Sequence, residues 1–126
     1  MRLPIPTDAE LEILTVLWSL GPSTVRDIHE VLNRRKPTQY STVLKFMQIM
    51  TEKGLVRRDD AERAHVFEPA QPMEATQQQL AGDLLERAFN GSARSLLMGA
   101  LSARKASKKE LAELRKLLDE CEKRAK

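Results

Sequence analysis

Residues 39–54, QYSTVLKFMQIMTEKG, constrain the fold more than any other stretch. Val43, Phe46, Met47 and Met50 recur at three- and four-residue steps, which places them on one face of an α-helix. Gly54 follows the last turn, where a residue of positive φ often ends a helix. Pro37 lies just upstream and excludes a continuous helix from the preceding residues. The chain must therefore turn, form a short amphipathic helix and stop.

The upstream segment supplies two more helices. Thr7 and Glu10 have capping-box spacing, so a helix starts near Asp8. Leu11, Leu14, Leu17 and Trp18 share one of its faces, and Gly21-Pro22 stops it. Ser23 is the expected N-cap of a second helix with Val25, Ile28, Val31 and Leu32 inward. That helix runs out at Asn33-Arg34-Arg35-Lys36-Pro37. Two helices joined by a polar turn then precede Gly54, which is helix-turn-helix order with a lengthened turn.

Beyond Gly54 the periodicity changes. Leu55 to Arg58 and His65 to Glu68 alternate as strands, with Asp59 to Arg63 as the hairpin loop, and Pro69 and Pro72 close the unit. Three helices plus a β-hairpin describe a winged helix-turn-helix. The alternative is a pair of loosely associated surface loops.

The placement of charge suits nucleic acid. The polar face of the central helix carries Ser41, Thr42, Lys45 and Gln48, groups suited to base edges and phosphates. Seven cations fall between residues 33 and 58: Arg34, Arg35, Lys36, Lys45, Lys53, Arg57 and Arg58. Only Glu52 opposes them, so these elements are expected to line a phosphate backbone. Asp59, Asp60 and Glu62 outnumber Arg63 at the wing tip, which is not expected to enter a groove. The alternative for each feature is an ordinary solvated face.

Residues 73–126 read as helical throughout. Leu80, Leu84, Leu85 and Ala88 form one stripe, which Asn90-Gly91 breaks. Ser92 caps a short helix carrying Leu96, Leu97 and Leu101. Ser107 and Glu110 form a second capping-box pair, opening a helix with Leu111, Leu114, Leu117, Leu118 and Cys121. Three helices of this length cannot bury so much leucine against one another, so a dimerisation surface is expected. Packing against the chain's own winged helix is the alternative. The expected domains are therefore 1–72, a winged helix-turn-helix, and 73–126, a helical dimerisation region, in a mainly α protein.

Several classes are excluded. No apolar run approaches the ~18 residues of a membrane span, and the start lacks a secretory core, so a cytoplasmic protein is expected with no membrane insertion. Two histidines and one cysteine are too few for a protein-only zinc site, so no metal or other cofactor is expected. His29 and His65 read as packing or phosphate-contact residues. Cys121 continues the leucine spacing as a small apolar residue, with an intersubunit redox role as the alternative. Asp59, Asp60 and Glu62 lack the calcium-loop pattern. No phosphate loop or nucleophile-base arrangement is visible, and the chain is not expected to be an enzyme.

AELEILTVLW (Ala9 to Trp18), TVLKFMQIMTEKGLV (Thr42 to Val56), SLLMGAL (Ser95 to Leu101) and KELAELRKLL (Lys109 to Leu118) resemble the penicillinase and methicillin-resistance repressors. The resemblance covers almost the whole chain. It implies a homodimeric winged-helix repressor of double-stranded operator DNA, with a palindromic site near β-lactamase or other stress-response genes. It also implies release when a membrane sensor metalloprotease system triggers cleavage in the dimerisation region. Ser41, Thr42 and Lys45 match positions that face DNA in that family. Ile49 stands where a polar residue is expected, and Leu44, near the polar side, suits a thymine methyl; packing of both beside the wing is the equal alternative. The bond cleaved in staphylococcal relatives is Asn-Phe, and the matching pair here is Gly99-Ala100. The cysteine cluster of copper-responsive members is reduced to Cys121.

The expected DNA contacts are therefore Tyr40, Ser41, Thr42, Leu44, Lys45 and Gln48 in the groove, with Arg34, Arg35, Lys36, Arg57 and Arg58 on phosphates. The competing function is a winged-helix module that binds proteins without reading DNA.

Overall fold

The computed structural model describes residues 4–61 and 65–125. Its elements are α1 (Asp8–Leu20), α2 (Val25–Arg35), α3 (Tyr40–Lys53), β1 (Val56–Asp59), β2 (Val66–Pro69), α4 (Met73–Ala88), α5 (Ala93–Ala103) and α6 (Lys108–Arg124). They fall into two compact units, Met1–Ala81 and Gly82–Lys126. No helix among the described residues is long and apolar enough to cross a membrane.

The first unit has winged helix-turn-helix order. Thr7 caps α1 reciprocally: its hydroxyl accepts from the Glu10 N–H, and the Glu10 carboxylate accepts from the Thr7 N–H. Gly21, at φ 85°, ends the helix as its own composition suggests. The second helix corrects the sequence reading. Its N-cap is Thr24, boxed with Asp27, and Ser23 serves another purpose. The Ser23 N–H donates to the Phe67 carbonyl (3.0 Å) and its carbonyl accepts from the Phe67 N–H (2.8 Å). Ser23 is thereby spent on the outer edge of the hairpin, and its hydroxyl turns back to the Gly21 carbonyl (2.8 Å). Residue 24 is left to start the helix.

Val43, Met47 and Met50 of α3 are fully buried, and Phe46 packs against the same core. They meet Ile13, Leu14, Val16 and Leu17 of α1, and Val25, Ile28 and Leu32 of α2. Leu55, Val56 and Phe67 close the core from the hairpin. Gly54 adopts the left-handed conformation, φ 82°, and sends the chain directly into β1. The strands pair antiparallel, Val56 with Pro69 through Asp59 with Val66. Asp59 thus belongs to the ladder instead of the loop. Glu62 and Arg63, expected at the wing tip, lie outside the described residues. The Trp18 indole N–H donates to the Gln71 carbonyl (3.0 Å), tying α1 to the segment that leaves the wing.

The second unit is helical. Asn90 (φ 50°) and Gly91 (φ 76°) reverse the chain after α4, and the Gly91 N–H donates to the Leu85 carbonyl (2.9 Å), a six-residue closure of the helix end. Ser92 caps α5 by accepting from the Ser95 N–H (3.1 Å). Ser107 caps α6 by accepting from the Glu110 N–H (3.1 Å), the forward half of the expected box.

Candidate nucleic-acid interface

The outer face of α3 is exposed and largely polar. Tyr40 is 48% exposed and Leu44 38% exposed, and Ser41, Thr42, Lys45 and Gln48 are exposed beside them. The helical period does this: burial of Val43, Met47 and Met50 turns the intervening residues outward. Ile49 is half-buried at the margin of that face.

The seven cations of this region are not equivalent. Lys53 is half-buried and committed to a buried carboxylate. Its Nζ lies 2.8 and 3.1 Å from the two carboxylate oxygens of Glu10, a residue only 2% exposed. Burial pushes the Glu10 carboxyl up, but its bonds to Lys53 and Thr7 together outweigh that and hold it below the ordinary value. The pair pins the last turn of α3 to the first turn of α1. Arg57 and Arg58 are adjacent on a strand and take opposite faces. Arg57 pairs with Glu68 across the ladder (3.4 Å), and Arg58 pairs with Asp60 (2.9 Å). Asp60 also meets His65 Nδ1 at 2.7 Å, so His65 is a wing-loop partner. Arg34 bonds the Glu30 carbonyl through Nε (3.2 Å). Among the described residues, Arg34, Arg35, Lys36 and Lys45 have no carboxylate partner. These exposed cations cluster at the end of α2 and on α3.

A cleft of about 520 Å³ separates α3 from the wing, lined by Gln48, Thr51, Glu52, Arg58, Asp60 and Phe67. Arg58 faces it; Arg57 is not among its lining residues. No group of three or more metal-ligating side chains occurs among the described residues.

Sequence periodicity missed the device that holds the turn between α2 and α3. His29 Nε2 lies 2.7 Å from the Thr38 carbonyl oxygen, and the Thr38 N–H donates to Asn33 Oδ1 (2.9 Å). A histidine and an asparagine four apart carried no recognisable signal, because their partner sits in an irregular turn.

Along α4, α5 and α6 the structure leaves the whole leucine set accessible. Leu80, Leu85, Leu96, Leu97, Leu101, Leu111 and Leu114 are half-buried, and Leu84, Leu117, Leu118 and Cys121 are exposed. Gly99 and Ala100 lie exposed in the middle of α5. A Cβ at Gly99 would stand 3.3 Å from the Phe89 ring, so glycine there permits the close approach of that ring.

The model of the family described as penicillinase repressor matches residues 6–120. The chain belongs to the penicillinase repressor family. Members of that family are transcriptional repressors and not enzymes. The chain is 33% identical over 88 residues to the transcriptional regulator BlaI of Mycobacterium tuberculosis, covering 69% of this chain and 64% of that protein. It is 23% identical over 125 residues to the penicillinase repressor of Bacillus licheniformis, covering 99% of this chain and 98% of that one. The solution structure of the DNA-binding domain of the repressor BlaI superposes with a TM-score of 0.51 at 21% identity, over 57% of this chain and 88% of that domain. That likeness establishes the winged-helix fold of the first unit.

Proposed function

We propose that the protein is a homodimeric repressor that binds a palindromic operator in double-stranded DNA. The observation that carries the reading is the outer face of α3, where Tyr40, Ser41, Thr42, Leu44, Lys45 and Gln48 stand exposed beside unpaired cations. With α3 in a major groove, these side chains reach base edges, and Arg34, Arg35 and Lys36 meet phosphates. Arg58 follows the backbone from the wing, once Asp60 releases it. Arg57 contributes from the outer face of the hairpin.

The leucines of α4, α5 and α6 join two copies, which a two-fold operator requires. Repression is occlusion of the promoter of a β-lactamase or related stress-response gene. Release follows loss of dimer affinity, since one protomer alone loses the linked second half-site. A membrane sensor metalloprotease system acting near Gly99-Ala100 is one route to that loss. That bond lies within α5, and proteases take extended chain, so the cut requires α5 to unwind first.

Selection of bound sequences from a random duplex pool, at near-physiological salt, tests the reading. The expected product is a palindrome with half-sites about one helical turn apart. Within it, Lys45→Ala weakens binding by about 1–3 kcal/mol at one base position if Lys45 reads a base. No enrichment over non-specific binding would overturn the reading in favour of a protein-interaction module.

A further inference from the structure

We infer that His29 and Asn33 are positioning residues for DNA readout: together they clamp the Thr38 peptide and so fix where α3 begins. The inference rests on the DNA-binding reading above. Four residues, Lys36 to Gln39, separate α2 from α3, and a turn of that length is not self-determining. Gln39, the N-cap of α3, makes no side-chain capping bond. A helix start without a cap is free to fray or shift by a residue. Here the restraint comes from α2 instead.

His29 and Asn33 are one turn apart and share a face of α2. His29 Nε2 reaches the Thr38 carbonyl at 2.7 Å, and Asn33 Oδ1 accepts from the Thr38 N–H at 2.9 Å. The Thr38 hydroxyl donates to the Lys36 carbonyl at 2.7 Å. Every polar group of Thr38 is thereby engaged within the turn. A carbonyl partner requires Nε2 to carry a proton, as it does in the Nε2–H tautomer and in the imidazolium. The bond therefore does not depend on the charge of the ring. His29 also meets the Tyr40 ring edge-on, with centroids 5.7 Å apart at 74°. Tyr40 is the first residue of α3 and stands at the expected groove face. The clamp thus passes the position of α2 to the residues that would read bases.

This role separates from phosphate binding. Arg34, Arg35 and Lys36 precede Thr38 and need no fixed start of α3 to attract DNA. Loss of the clamp should therefore cost selectivity more than general affinity. The test measures affinity for the selected operator and for unrelated duplex, at a temperature where circular dichroism shows each variant folded. His29→Ala and Asn33→Ala are each expected to weaken operator binding about fivefold to tenfold, the cost of one hydrogen bond, with unrelated duplex bound almost as before. His29→Gln, which keeps a donor, is expected to recover most of the selectivity. In the free protein, the Thr42 and Val43 amides, which donate to the Gln39 carbonyl at 3.1 and 3.3 Å, should exchange hydrogen faster in His29→Ala. A selective wild type with equally selective variants, or unchanged exchange at those amides, overturns the clamp and leaves the DNA reading standing. A wild type without selectivity overturns both.

Discussion

Residues Met1–Ala81 and Gly82–Lys126 are both rich in apolar side chains, yet only the first unit closes a core. Among its described residues thirteen apolar side chains are buried, from Ile13 to Phe67. Among the described residues of the second unit none is buried, and Leu84, Met98, Leu117 and Leu118 are between 41% and 56% exposed. The first unit packs elements from three directions onto α3: two helices and a hairpin. The second has only the end of α4 with α5 and α6, each carrying leucines. Burying such stripes requires another surface, because the hydrophobic gain scales with area removed from water. The first unit thus has within itself what its fold needs, and the second leaves its leucines open, as the proposed dimer requires.

Charging the leucine stripe should break that contrast most visibly. Leu114→Asp is expected to give monomers by sedimentation at micromolar protein, and to lower operator affinity by about two orders of magnitude through loss of the linked half-site. Dimers that survive the change would place the interface elsewhere. A core substitution should behave differently. Met47→Ala removes a fully buried side chain and is expected to cost about 3 kcal/mol, measured by urea unfolding of residues in the first unit. That loss should not vary with protein concentration, whereas the stability of the second unit should.

The buried ion pair gives a smaller and pH-dependent effect. Glu10→Gln leaves the Lys53 ammonium without its counter-charge and is expected to cost about 2 kcal/mol at neutral pH, since Lys53 remains partly solvated. Because the folded-state pKa of Glu10 is lowered, its stabilisation is fully present above the ordinary value near 4.5 and fades as pH falls through the lowered value. Glu10→Gln should therefore flatten the acid limb of the stability curve in that window. A variant curve parallel to the wild type there would remove Glu10 from the account. The smallest effect concerns the surface of the first unit. Arg57→Ala is expected to reduce the salt dependence of operator binding by about one unit of slope. Its existing bond to Glu68 competes with any phosphate, and an unchanged slope would delete it.

Much of this molecule was decided within short stretches of chain. Thr7 with Glu10, Gly21, Gly54, Asn90-Gly91, Ser92 and Ser107 start and stop helices through partners three to six residues away, so a linear reading finds them. The three- and four-residue recurrence of Val43, Met47 and Met50 likewise settles which face of α3 is left exposed. The tertiary structure alone decided which polar groups remain available. Ser23 looked like a cap, but Phe67, forty-four positions later, claims its backbone. Lys53 looked like a free surface cation, but the buried carboxylate of Glu10, forty-three positions earlier, claims its ammonium. Arg57 and Arg58 looked alike, but strand alternation and the pairing with β2 separate their faces. Periodicity and capping are local properties of the backbone, whereas ion pairing and strand register depend on what folding brings alongside, and no local pattern encodes that.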